Sequence, residues 1–284
     1  VFNPRTSGGI NSGMLSVLSE SLTWNAIPDI NSQGNVDIWM QKLDYTEFSA
    51  GKWYYDFAEV LDSKYEDASG NALKIYDKID KITKEKDFDR IMESLGGNIY
   101  SNINQREADI ASILSNSHDF LQNSENNTKE NVKINVIAGR GRTKEDTDGV
   151  VGYDYTTTGV LALREVERTY KHTFGYSAGY LHTNYEMLDG NSSEEDADTL
   201  QLGLHNKYRS NDWILRNDVL GRVSIYNTDR NIDWINTGRS QMTGMYETYS
   251  ISSNNKLGSI TNALAIATLC LCPPDNSLGY LFAK

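Results

Sequence analysis

The stretch "TLQLGLHNKY", residues 199–208, alternates between two chemistries. Its even positions are Leu200, Leu202, Leu204 and Tyr208, with Asn206 the exception. Its odd positions are Thr199, Gln201, Gly203, His205 and Lys207. A period of two marks a β-strand with one apolar and one polar face. "DWILRNDVLGRVSI" repeats the pattern. Trp213, Leu215, Val219, Val223 and Ile225 stand on one face against Arg216, Asp218, Arg222 and Ser224, while Asn217 and Gly221 dilute the apolar side.

The same reading predicts six strands, over about 132–142, 150–164, 171–186, 198–208, 212–226 and 240–252. Most exceed the usual length of a globular strand and suit a tilted membrane strand. Their connections alternate. "TKEDTDG" is long and acidic, "EVERTY" shorter, "MLDGNSSEEDA" long and acidic, "RSN" very short and "YNTDRNIDWINTGRS" long. Extended loops on one side and tight turns on the other are the spacing of an outer-membrane barrel. A soluble sandwich accounts for the alternation along each strand but not for its length together with alternating loops.

"HTFGYSAGYLH" contains G-Y-S-A-G, the pattern of a hydrolase nucleophile elbow. An elbow needs a sharp strand-to-helix turn after the serine. Here the alternation runs on through Tyr180, so Ser177 is expected on a strand, on its face of small residues.

Upstream the period is helical. "ALKIYDKIDKIT" spaces Leu73, Tyr76, Ile79 and Ile82 by three or four residues, and "KEKDFDRIMESL" follows as a second helix. Gly96-Gly97 predicts a break. After it Ile99, Ile103, Ile110, Leu114 and Leu121 form a thin stripe among Asn98, Asn102, Gln105, Arg106 and Asp109. Such a helix is solvated, or it lies in a water-filled channel. Residues 1–70 read as an accessory region in which Trp39, Leu43, Phe48, Trp53, Phe57 and Leu61 pack one side of short helices.

Composition excludes some classes. A formal net charge of -12 gives no surplus of cations for nucleic acid. No run is long and apolar enough for a membrane helix, which says nothing of barrel strands. Cys270 and Cys272, one residue apart, suit neither an intrachain disulfide nor a zinc cage. The four histidines show no ligand spacing, so no metal or other cofactor is expected. The carboxylates at Asp189, Glu194, Glu195, Asp196 and Asp198 read first as a solvated loop, or else as a place for divalent ions. "VFNPRTSGG" has no leader-like character, and the chain reads as the C-terminal part of something longer.

"SLGGNIYSNINQREADIASILSNSHDFLQN", then "INVIAGRGRTKEDTDGVVGYDYTTTGVLAL", resembles the translocator region of autotransporters, the type V secretion proteins. "YSAGYLHTNYEM" and "ADTLQLGLHNKYRSNDWILRNDVLGRVSIYNTDR" look like that family's third to fifth strands. The resemblance covers about residues 90–255. It implies a mainly β fold: an antiparallel outer-membrane barrel, about six of twelve strands present, preceded by a helical linker threading the lumen. It also implies the partners: outer-membrane lipid, the barrel-assembly machinery and the protein's own N-terminal passenger. The expected divisions are 1–70 for the end of the passenger, 71–130 for the linker, 131–257 for the partial barrel and 258–284 for an atypical tail. From Gly258 the alternation is lost, and Phe282 stands two places short of the end, where family barrels finish on an aromatic. That departure predicts an incomplete barrel with open edges.

Combined with the strand period, the resemblance assigns faces. Gln201, Gly203, His205, Lys207, Arg216, Asp218 and Arg222 are expected in the lumen. Phe174, Tyr176, Tyr180, Leu200, Leu202 and Leu204 are expected in lipid. Ile99, Asn102, Ile103, Arg106, Ile110 and Leu114 are the linker-helix set. The expected role is export and display of a passenger at the cell surface, without catalysis. The alternatives are a surface adhesin fragment and the remnant of a passenger enzyme such as a secreted serine protease. No histidine precedes residue 90, so no Ser/His/Asp set can be assembled there.

Overall fold

The computed structural model describes residues 16–124, 130–144, 147–234 and 237–259. The chain falls into two units. The first comprises Val1–Ser101 with Thr147–Val150 and Ile232–Ser240; the second comprises Asn102–Asp146, Val151–Asn231 and Gln241–Lys284. The helical stretch is thereby divided, its last helix lying in the second unit.

The first unit opens with a hairpin, β1 (Trp24–Ile30) and β2 (Val36–Lys42). Trp39 therefore sits on a strand, not a helix, and it is exposed. The reason is local. Val36, Ile38 and Met40 alternate with Asp37, Trp39 and Gln41, and Gly34 at φ 77 closes the turn. Helices α1 (Tyr45–Phe48), α2 (Tyr55–Lys64), α3 (Gly70–Ile79) and α4 (Glu85–Gly96) follow. Tyr76 and Ile79 bury the predicted stripe of α3, with Ile82 just beyond it; Leu73 stays exposed. Gly97, left-handed at φ 83, ends α4 as its Gly-Gly pair predicts.

Asp80 ties this unit together. Its carboxylate accepts from Thr23 Oγ1 at 2.9 Å, Tyr45 OH at 2.8 Å and Tyr65 OH at 2.6 Å. Burial, then the Asp80 charge, pushes the Tyr45 hydroxyl far above the usual tyrosine range, so it remains a donor at neutral pH. Lys42 Nζ lies 3.6 Å from the centre of the Tyr45 ring, and burial lowers its pKa. Asp80→Ala strands three donors. It should destabilise this unit by about 2–4 kcal/mol. The midpoint of its helical signal on heating measures this, and an unshifted midpoint contradicts it.

In the second unit α5 (Ile103–Asn123) precedes six strands. They are β3 (Glu130–Thr143), β4 (Tyr153–Thr169), β5 (His172–Met187), β6 (Glu194–Arg209), β7 (Trp213–Asp233) and β8 (Arg239–Ser259). They form one antiparallel meander in sequence order. The fold is mainly β, a partial barrel sheet preceded by helices.

The strands run further than the alternation alone predicts. β6 begins at Glu194 and β7 continues to Asp233, so the linking segments shrink to residues 188–193 and 234–238. Much of the acidic sequence read as loop is strand end. Asp154, Glu186, Glu194 and Asp229 face one another across four strands in register. Charged outward residues on a strand look like a loop when only apolar alternation is counted. The tail from residue 260 lies outside the described residues.

Candidate functional site

Each strand of the sheet has a buried face and an exposed face. On β5 the odd residues from Gly175 to Met187 are buried, and on β6 those from Glu195 to His205. α5 carries buried Arg106, Ile110, Leu114, Ser117, His118, Leu121 and Gln122. They meet the buried, inner face of the sheet, where polar side chains stand among Leu161, Leu163, Leu181 and Leu220.

Near the start of α5, the Arg106 guanidinium meets Glu195 at 2.9 Å with both side chains fully buried. Glu195 also accepts from Thr228 at 2.7 Å and Tyr246 at 3.0 Å. The rings of Tyr153 and Tyr185 stand 5.9 and 5.8 Å from the guanidinium carbon. The next residue, Glu107, accepts from Tyr226 at 2.6 Å, from Arg222 at 3.1 Å and from Thr248. Asp109 accepts from Tyr153 at 2.7 Å.

Further along, Asn135 donates to Ser117 at 2.8 Å. The His118 ring meets His205 edge-on at 5.7 Å between centres. Gln122 donates to Asp218 at 2.6 Å, and Arg216 donates to Asn123 at 2.6 Å. Lys133 bridges the Leu121 carbonyl at 2.9 Å and Glu165 at 2.6 Å. Lys256 pairs with Asp119. Polar contacts therefore run the length of the helix.

Gln201, Gly203, His205 and Asp218 are buried on this inner face; Lys207, Arg216 and Arg222 are partly buried. Phe174, Tyr176, Tyr180, Leu200, Leu202 and Leu204 are on the opposite face, between 43 and 58 % exposed. Of the helix set, Arg106, Ile110 and Leu114 are fully buried. Asn102 stands at the start of α5 and donates to the Val151 carbonyl. Ile103 is half-buried, and Ile99 lies on a separate 3-10 turn, Asn98–Tyr100, in the first unit. Sequence reading missed Glu107, Tyr226, Tyr246 and the inner pair Lys133–Glu165, and it placed Glu195 in a solvated acidic loop, whereas Glu195 is a buried strand residue paired with Arg106. Tyr226 and Glu195 do follow the two-residue period from Asp218 and Gln201, so a longer count along each strand finds them.

Ser177 is buried on the inner face of β5, as a strand residue. His182 meets Asp198 at 2.9 Å on the other face, so the three do not assemble. Among the described residues, no three His, Cys, Asp or Glu side chains converge as a metal set. None of the described helices is long and apolar enough to cross a membrane, which leaves crossing by strands open.

Residues 132–262 match the family model described as the autotransporter beta-domain. This segment is an autotransporter β-domain. Such a domain is an outer-membrane β-barrel of type V secretion and is not itself an enzyme. Residues 1–44 match a second model, the BigA beta sandwich domain. No curated protein and no solved structure matches the chain.

Proposed function

We propose that the β-domain anchors the chain in the outer membrane and serves the export and display of an N-terminal passenger. The observation that carries this is the two-faced sheet: a buried inner face whose polar groups bond to α5 along its length, and an outer face whose large apolar side chains are exposed. In water an apolar face of this extent invites aggregation; in lipid it is solvated. On this reading Phe174, Tyr176, Tyr180, Leu200, Leu202 and Leu204 face hydrocarbon. Gln201, Gly203, His205, Lys207, Arg216, Asp218 and Arg222 line the lumen, with α5 among them. The barrel-assembly machinery inserts the sheet, and residues 1–70 are the end of the passenger, at the cell surface.

Residues 1–44 match a β-sandwich domain, a fold that by itself assigns neither binding nor catalysis. A surface adhesin is the second reading. Binding by the chain that survives deletion of residues 131–259 would favour that reading for the N-terminal part alone.

Cysteine labelling in membranes tests the facing. Leu202→Cys should react slowly with a charged thiol reagent and fast with a lipid-soluble one. A charged reagent modifying position 202 as fast as Asp196→Cys, near the strand end, overturns the assignment. Leu202→Arg should destabilise the inserted sheet by about 2–4 kcal/mol if it lies near the bilayer midplane.

A further inference from the structure

We infer that Arg106 and Glu107 are positioning residues that set the register of α5 against the sheet through two ion pairs of opposite polarity. The inference rests on the translocator reading and adds to it a device that fixes the depth and rotation of the helix on the sheet.

The two residues are adjacent, and so are the strands that receive them. Arg106 meets Glu195 of β6 at 2.9 Å; Glu107 meets Arg222 of β7 at 3.1 Å. The helix presents a cation then an anion, and the wall presents an anion then a cation. Neighbouring residues on a helix point about 100° apart, so closing both pairs fixes rotation as well as depth. A single pair could be kept by turning the helix about it.

Slippage by one turn moves a side chain about 5.4 Å along the axis. In one direction it offers Glu195 the side chains of Asn102 or Ile103; in the other, Asp109 or Ile110. For Arg222 the replacements for Glu107 are Ile103 or Asn104, and Ile110 or Ala111. No one-turn slip gives Glu195 a cation or Arg222 an anion. Each leaves a buried charge without its counter-charge, the outcome folding most strongly avoids. Asp109 opposite Glu195 would add like-charge repulsion. The native register is selected both by what it pairs and by what its neighbours mispair.

Cross-linking reads the register directly. The full chain carries Cys270→Ser and Cys272→Ser, with Asn135→Cys on β3 and one reporter on α5. Ser117→Cys reports the native register, since Asn135 donates to Ser117 at 2.8 Å. Ile113→Cys and Leu121→Cys report a slip of one turn either way. With Arg106 and Glu195 in place, oxidation in membranes should link position 117 almost alone. Arg106→Glu should cut that yield about tenfold or more, as expected when one member of a buried pair is lost, and raise a slipped product. Arg106→Glu combined with Glu195→Arg should restore the native link. Arg106→Gln, a milder change, should cut the yield in the same direction if the reversal fails to insert. Unchanged linking at 117 in both single variants overturns the inference and leaves the translocator reading standing, as does a double reversal that restores nothing. If the unaltered pairing forms no link at any of the three reporters, α5 does not lie on the sheet, and both fall.

Discussion

Glu195→Gln destabilises the β-domain by about 3–5 kcal/mol, because it leaves a buried arginine without its counter-charge. Glu195 is fully buried and receives Arg106, Thr228 and Tyr246. Glutamine keeps the shape and loses the charge, and its amide nitrogen turns a donor toward donors. Arg106 then sits between the Tyr153 and Tyr185 rings, which offer it far less than a carboxylate. Replacing both partners behaves differently. Arg106→Met with Glu195→Leu removes both desolvation penalties, and its loss should stay within about 2 kcal/mol, the remainder reflecting the Thr228 and Tyr246 hydroxyls left without their acceptor. Urea titration of the inserted chain, read by tyrosine and tryptophan fluorescence, measures all three. Equal losses in the single and double variants would mean that the pair holds the sheet together. The expected inequality means that it specifies position more than it adds stability, as a register device should.

The extent of what the sequence discloses follows from which signals are local. Strand period is local, and it identifies β3 to β8 and the two faces of β5 and β6. The Gly96-Gly97 break is local too, because only backbone conformation decides it. The hairpin β1–β2 was hidden because Trp39, Leu43 and Phe48 also fit a helical stripe; an apolar run this short supports either period. The charged strand ends were hidden because outward carboxylates do not alternate with anything apolar. The pairing of Arg106 with Glu195 joins residues 89 positions apart across a packed interface, and no one-dimensional pattern encodes it. What did point there was Arg106 and Asp109, with several amides, on a helix with too thin a stripe for an ordinary core. Polar residues in excess on a buried helix predict polar partners on whatever surrounds it.

Two inner glycines of the sheet should differ from one on its exposed face, and the difference tests the packing around α5. A Cβ added at Gly159 would lie 2.2 Å from the Tyr180 carbonyl oxygen and 3.0 Å from the Leu181 Cα. Both are backbone atoms of the paired strand, so relief requires the strands to part. A Cβ at Gly175 would lie 2.1 Å from His205 Nε2 and 2.3 Å from the Arg164 carbonyl oxygen. The imidazole is already in edge contact with His118, and the carbonyl is held in the ladder. A Cβ at Gly221 meets nothing within 4 Å, and that residue lies on the exposed face. Gly159→Ala and Gly175→Ala should therefore each destabilise the sheet by about 3 kcal/mol or more, the upper end of overpacking. Gly221→Ala should stay within about 0.5 kcal/mol of the parent, as surface changes do. Urea midpoints of the inserted chain give the three values. If Gly175→Ala matches Gly221→Ala, His205 has room to move and the wall facing His118 is loosely packed. If Gly159→Ala is also tolerated, β4 and β5 are not packed in this register, and Ile137, Gly159, Leu181 and Thr199 do not form one row.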